Sequence, residues 1–126
     1  MQSKSLGLIL SAKPIRDNDL YIKILSANDR VLSGFVYGGN SSKKRHTYQL
    51  GYFIEFNQLR KNSNSVSIIN GDLVNPFIVS IYNDKFKLFS LLALISILKE
   101  SIYEGVQIHG LFISVKELIL MINKNK

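Results

Sequence analysis

Three adjacent cations, Lys43-Lys44-Arg45, follow a Gly38-Gly39-Asn40-Ser41-Ser42 stretch that joins two alternating segments. The chemistry open to such a group is electrostatic. Ammonium and guanidinium groups neutralise phosphates, and glycines let a backbone lie close to an anion. A solvated surface loop is the plainer reading of any single charge run. Here, however, Lys13, Arg16, Lys23, Arg30, Arg60 and Lys61 join the triplet in the front half of the chain, mostly at strand ends or in turns. Tyr21, Tyr37, Tyr48 and Phe53 are candidate platforms for stacked bases. Core packing competes for each of them, and for Tyr48 in particular, which shares its face with Leu50 and Ile54. No residue pattern encodes base-specific readout, so sequence-tolerant contacts are expected.

Catalytic and metal chemistry find little support. His46 and His109 stand far apart with no carboxylate at ligand spacing, and the chain has no cysteine. Thiolate metal sites and disulfides are thereby excluded. Asp17 and Asp19 flank Asn18 in a turn, where such side chains bond their own backbone. Gly38 to Lys43 lacks the second glycine of a phosphate-binding Walker loop. No catalytic residue, metal or cofactor is expected.

The 126 residues carry a formal charge of +7, with 46% hydrophobic and 20% charged residues. That composition describes a folded chain with a polyanionic partner. The charge is uneven: Met1 to Asn75 holds ten Lys/Arg against five Asp/Glu, while Pro76 to Lys126 holds six against four. Absence of cysteine is compatible with a reducing cytoplasm. The apolar stretch Leu6 to Leu10 is too short for a signal-peptide core, and no membrane partner is expected.

The elements that must position these cations are β-strands. Leu6, Leu8, Leu10 and Ala12 alternate until Pro14 ends the run, and Leu20, Ile22 and Ile24 alternate with Tyr21, Lys23 and Leu25. The turn Ser26 to Arg30 leads to a segment Val31 to Tyr37. Tyr48, Leu50, Tyr52, Ile54 and Phe56 share a face beyond the cationic loop, and a turn from Arg60 to Ser65 precedes Val66 to Ile69. Five strands in residues 1–75 suit an all-β OB-fold barrel. An SH3-like barrel has the same strand count, which does not separate the two.

Asn75-Pro76 marks a break, and residues 76–126 read as a helical segment. Asp84 is a plausible N-cap for a helix from Lys85 to Tyr103, with Gly105 as its stop. A second helix is expected over Leu111 to Ile122, with an apolar stripe of Leu111, Val115, Leu118 and Ile122. From Leu88 to Leu98 only Ser90 and Ser96 interrupt the apolar run. A helix apolar all round must be covered on several sides. Further helices or a partner protein are therefore expected over Phe86, Phe89, Leu92 and their neighbours.

Gly7-Leu8-Ile9-Leu10, then Lys13-Pro14 to Asp19, then Tyr21-Ile22-Lys23-Ile24-Leu25, resembles the start of RecO recombination-mediator proteins. A strand ending in a Gly-small-x-Ser loop with cations is matched by Gly38 to Arg45, and the entry to a helical region by Asn75-Pro76-Phe77. The resemblance covers essentially the whole chain. It implies an N-terminal OB-fold followed by helices, and binding of single-stranded and duplex DNA. It further implies strand annealing and recombinase loading with a RecR partner. Lys43, Lys44 and Arg45 would be phosphate contacts, with Lys13 and Arg16 as neighbours. The chain departs from the family at Asn28-Asp29-Arg30, where a glycine is usual, at Tyr52-Phe53 and at Gly71-Asp72. Family members are longer, and their later helices dock single-strand binding protein and in some members hold zinc. That partner is not expected here.

The expectation is a non-enzymatic, cytoplasmic DNA-binding mediator of recombinational repair. Two alternatives remain open: a protein-interaction scaffold that uses the apolar helix, and an RNA-binding OB domain.

Overall fold

The computed structural model describes residues 4–16, 18–59, 67–74, 81–102 and 106–124. Asp17, Arg60, Lys61, the turn through Ser65, Val66, the Asn75-Pro76 break, Tyr103 and Gly105 lie outside the described residues.

Period-two alternation builds five strands: β1 (Ser5–Ile15), β2 (Asp19–Ser26), β3 (Val31–Val36), β4 (Phe53–Leu59) and β5 (Ile68–Val74). They close in the order β1-β2-β3-β5-β4, with β4 returning to β1. All neighbours are antiparallel except β3 and β5, which run parallel. This closed five-stranded barrel is an OB-fold. Its interior is filled by Ile9, Leu20, Ile22, Ile24, Val36, Ile54, Phe56 and Ile69.

A shift of register between Ile9 and Ser11 makes Leu10 the extra residue of a bulge in β1. Alternation turns Ile9 into the barrel while its neighbours Leu8 and Leu10 join a second core outside it, and the bulge shifts the phase so that Ala12, not Ser11, is the next residue on the barrel side. Pro14 does not end β1 as its sequence suggests, but pairs with Leu20 inside the ladder. At that end β1 has a single neighbour, since its pairing with β4 covers only Ser5 to Leu8. A strand with one open side has no ladder bond there for proline to remove. The segment Tyr48 to Tyr52 is likewise not strand but turn, and β4 starts at Phe53. Gly51 is the reason: its φ of +82 breaks the extended run, and a Cβ there would lie 2.7 Å from Leu91 Cδ2.

Among the described residues the longer helices are α1 (Lys85–Ser101) and α2 (Leu111–Lys124). Asp84 caps α1, its carboxylate accepting from the backbone N–H of Phe86 at 3.0 Å and of Lys87 at 3.1 Å. Leu91, Ile95 and Leu98 of α1, with Phe112, Val115 and Ile119 of α2, pack on Leu8, Leu10, Leu25, Val31 and Phe53 of the barrel. Barrel and helices thus share one apolar core, to which each fully buried Leu or Ile contributes about 1.5–3 kcal/mol. The stripe on α2 is Phe112, Val115 and Ile119, while Leu118 is exposed. This helix is apolar on several faces, so more than one stripe satisfies its period, and tertiary contact selects among them. Lys87 Nζ donates to the Asn123 carbonyl at 2.7 Å, placing a cation on the negative end of α2. Among the described residues no helix is long and apolar enough to cross a membrane.

Candidate nucleic-acid interface

Leu20, Ile22 and Ile24 point inward, so alternation turns Tyr21 and Lys23 of β2 to the outer surface. In β3 the partners Leu32, Gly34 and Val36 face in, which leaves Ser33 and Phe35 outside with Tyr37 just beyond. Register then assembles a face. Lys13, Tyr21 and Phe35 stand in one row across β1, β2 and β3, and Ser11, Lys23 and Ser33 in the next. Tyr21 meets Phe35 edge-on at 5.2 Å between centroids, and Phe35 stacks with Tyr37 at 6.5 Å and 12°. A hydrogen bond of 2.9 Å between the Tyr21 and Ser33 hydroxyls fixes the first ring. Tyr37, 51% exposed, ends the row in solvent. Three aromatic rings, with Lys13 and Lys23 both flanking Tyr21, form a surface on which bases can stack beside a charged backbone.

Phe35 is the member of this row that sequence reasoning misses. A signal for it exists: Val31, Ser33, Phe35 and Tyr37 occupy the positions that alternate with Leu32, Gly34 and Val36.

The loop after β3 is fastened to the β1–β2 turn. Gly38 N–H donates to Asp19 Oδ1 at 2.9 Å and Asn40 N–H to the Asn18 carbonyl at 2.8 Å. The other Asp19 oxygen lies 3.9 Å from Arg16 Nε, so one carboxylate joins Arg16 to the base of the cationic loop. From Ser41 the chain folds into successive turns rather than a slack loop. Lys44 and Arg45 N–H donate to the Ser41 carbonyl, and Thr47 N–H to that of Lys44. Lys43, Lys44 and Arg45 are all exposed, and among the described residues no ion pair ties them to a carboxylate. Lys44 lies at a hollow beside β5 that it shares with Lys4.

The structure separates several of the other candidates from this face. Arg30 stands at the far end of β2, pairs with Gln107 in a β-bridge, and donates from Nη2 to Gln107 Oε1 at 3.2 Å. The length of β2 carries it away from Lys13 and Arg16 to the seam with the helices. Tyr48 is 3% exposed and Phe53 equally so, which leaves neither ring a face for a base. Tyr48 goes inward because its hydroxyl has a task there: it donates to the Gly71 carbonyl at 3.2 Å and accepts from the Gly71 N–H at 3.0 Å. Those two groups point away from β4, on the side where β3 has already ended. Desolvation pushes the Tyr48 phenol pKa up, and burial pushes that of Tyr82, bonded to the Leu50 carbonyl, up to about 12.

On the helices, Phe86 and Phe89 are 81% and 62% exposed, with Ile97 exposed and Leu92 half-buried. Phe86, Phe89 and Ile97 fall on one side of α1, away from Leu91, Ile95 and Leu98.

Comparison with known proteins places these features in context. The chain is 28% identical over 112 residues to the DNA repair protein RecO of Rickettsia bellii, an alignment covering 89% of this chain and 46% of the relative. Against RecO of Rickettsia canadensis the identity is 26% over 112 residues, with the same coverage. An uncharacterised protein of Rickettsia prowazekii is 27% identical over 112 residues, which make up 96% of its length. No protein-family model matches the chain. The chain spans about half the length of the RecO proteins it matches. In sequence it is RecO-like over most of its own extent.

Proposed function

We propose that this chain is a non-enzymatic DNA-binding module of recombinational repair, engaging single strands on the outer face of β1, β2 and β3. The observation that carries the reading is the aromatic run Tyr21–Phe35–Tyr37 with Lys13 and Lys23 beside Tyr21. Stacking on such rings is worth about 1–3 kcal/mol per base and tolerates any sequence. Lys13, Lys23, Arg16 and the Lys43–Arg45 triplet neutralise phosphates and release counterions. The barrel, residues 1–75, is the binding unit, and the helical segment 76–126 carries the protein contacts. Strand annealing, recombinase loading with a RecR-like partner and action on the cytoplasmic nucleoid follow from the likeness to RecO.

Oligonucleotide binding across a salt series, with single-stranded and duplex DNA in parallel, tests the proposal. Binding that weakens linearly on a log-log plot, and that falls in a Phe35→Ala variant of unchanged fold, is the expected result. Affinity that ignores both salt and Phe35 would refute it. Matched RNA strands separate the RNA-binding alternative, because contacts to the 2′-hydroxyl impose a preference. A second reading, a protein-interaction scaffold, is favoured by one observation: the exposure of Phe86 and Phe89.

A further inference from the structure

The outer surface of β4 and β5 holds a polar hollow of about 330 Å³, apart from the aromatic face. Its floor is a pair of carboxamides, Asn57 and Asn70, which stand opposite each other in the β4–β5 register. One wall is Lys4, whose Nζ donates to Asp72 Oδ2 at 2.9 Å. The other wall is the cationic loop, represented by Lys44 and by Tyr48, whose hydroxyl is fully engaged with Gly71. The hollow lies at the small end of ligand clefts.

These groups are arranged with a direction. Lys4 is tied to Asp72, and hydrogen bonding to that carboxylate raises its pKa. Lys44 has no such partner among the described residues and is the cation left for an anionic group. Carboxamides present a donor and an acceptor side by side, the pattern that pairs with the edge of a nucleobase. Glu55, in register with Asp72, adds negative charge nearby, so a bare anion gains little from entering fully. The fitting ligand has one negative end and a neutral hydrogen-bonding end.

We propose that this hollow takes a single nucleotide, its phosphate on Lys44 and its base edge on Asn57 and Asn70. The inference rests on the DNA-binding reading for its biological source, a nucleotide of a bound strand, although the chemistry is the same for a free one. A nucleotide held there while the strand stacks on Tyr21, Phe35 and Tyr37 would wrap the strand around the loop.

The test uses the whole chain and the NMR signals of the Asn57 and Asn70 side-chain amides, the Gly71 backbone amide and the Tyr21–Phe35–Tyr37 rings. The probes are an eight-nucleotide adenine oligonucleotide, deoxyadenosine monophosphate and deoxyribose 5-phosphate. Saturable shifts of both carboxamides with the first two probes, and none with the sugar phosphate, are the expected result. Asn70→Ala removes no charge from an exposed position, and it should weaken oligonucleotide binding by about 3- to 10-fold, as the removal of one good hydrogen bond would. Carboxamides unmoved by the oligonucleotide while the ring signals shift would overturn this inference and leave the aromatic interface standing. An oligonucleotide that binds nowhere, with the mononucleotide still shifting Asn57 and Asn70, would refute the DNA-binding reading and uphold the hollow. Silence from all three probes would overturn both.

Discussion

Asp29, in the turn between β2 and β3, accepts hydrogen bonds from the N–H of Phe112 at 2.8 Å and of Gly110 at 2.9 Å. A barrel turn therefore caps a helix that begins much later in the chain. Asp29 adopts a φ of 69, uncommon outside glycine, and its neighbour Asn28 accepts from Gln107 Nε2 at 2.8 Å through its carbonyl. The usual short-range cap is replaced here by a long-range one, which fixes where α2 lies on the barrel.

The Phe112 and Gly110 N–H groups hold the Asp29 carboxyl below the ordinary carboxylate range, with a smaller contribution from His109. A depressed folded-state pKa gives stability that is complete above the unfolded value and lost as pH falls through the folded one. Asp29→Ala should lower Tm at pH 7 and narrow its difference from the parent at pH 3. Thermal melts by circular dichroism at the two pH values check this, and equal deficits at both would contradict it.

Tyr48→Phe removes one oxygen and strands the N–H and C=O of Gly71. Each unsatisfied buried group costs about 1–3 kcal/mol. The variant should unfold at lower urea concentration while keeping its affinity for oligonucleotides per folded molecule. A loss of binding without a loss of stability would mean the ring serves the ligand after all.

Changing Lys43, Lys44 and Arg45 together to Glu should weaken single-strand binding at low salt. If each cation neutralises one phosphate of a single strand, removing all three flattens the log-log salt slope by about 2. An unchanged slope would remove the triplet from the interface.

Gly51→Ala places a Cβ against Leu91 at a positive φ, and should destabilise by roughly 1–3 kcal/mol. Leu91→Ala, at a fully buried position, should cost about 2–5 kcal/mol. Combined in one chain, the two should cost less than their sum, because the smaller residue makes room for the new methyl. Strict additivity in urea melts would show that strain at φ, rather than crowding, dominates.

Phe86→Ser with Phe89→Ser should leave the melting temperature nearly unchanged, since both rings are exposed. Light scattering over a concentration series should show less self-association than in the parent. A large fall in Tm would instead mean that the rings support the fold.

Local features were legible in the sequence. Asp84 as a cap, the alternation of Leu20, Ile22 and Ile24, and the starts of both helices depend on neighbours within a few residues, whereas the ends differ, α1 stopping at Ser101 with Ile102 extended and α2 running on to Lys124. Features set by distant partners were not. Tyr48 on an apolar face reads the same whether its ring meets a base or fills a core, and only the position of Gly71 decides. Arg30 reads as one more cation until Gln107 is placed beside it. Lys13, Tyr21 and Phe35 form a row only through register, which no single segment contains. The choice between Leu118 and Ile119 on α2 likewise belongs to the surface against which that helix lies.

Among the described residues, β3 and β5 meet through the single pair Phe35 and Ile68, and Tyr48 spans the gap beyond it. The cylinder is therefore buttoned by a phenol where other seams are stitched by ladders. Since the button belongs to the segment that carries Lys43 to Arg45, any pull on those cations by a polyanion reaches the weakest joint of the wall. Amide exchange along Gly71 and Ile69 would register that pull before any other strand felt it.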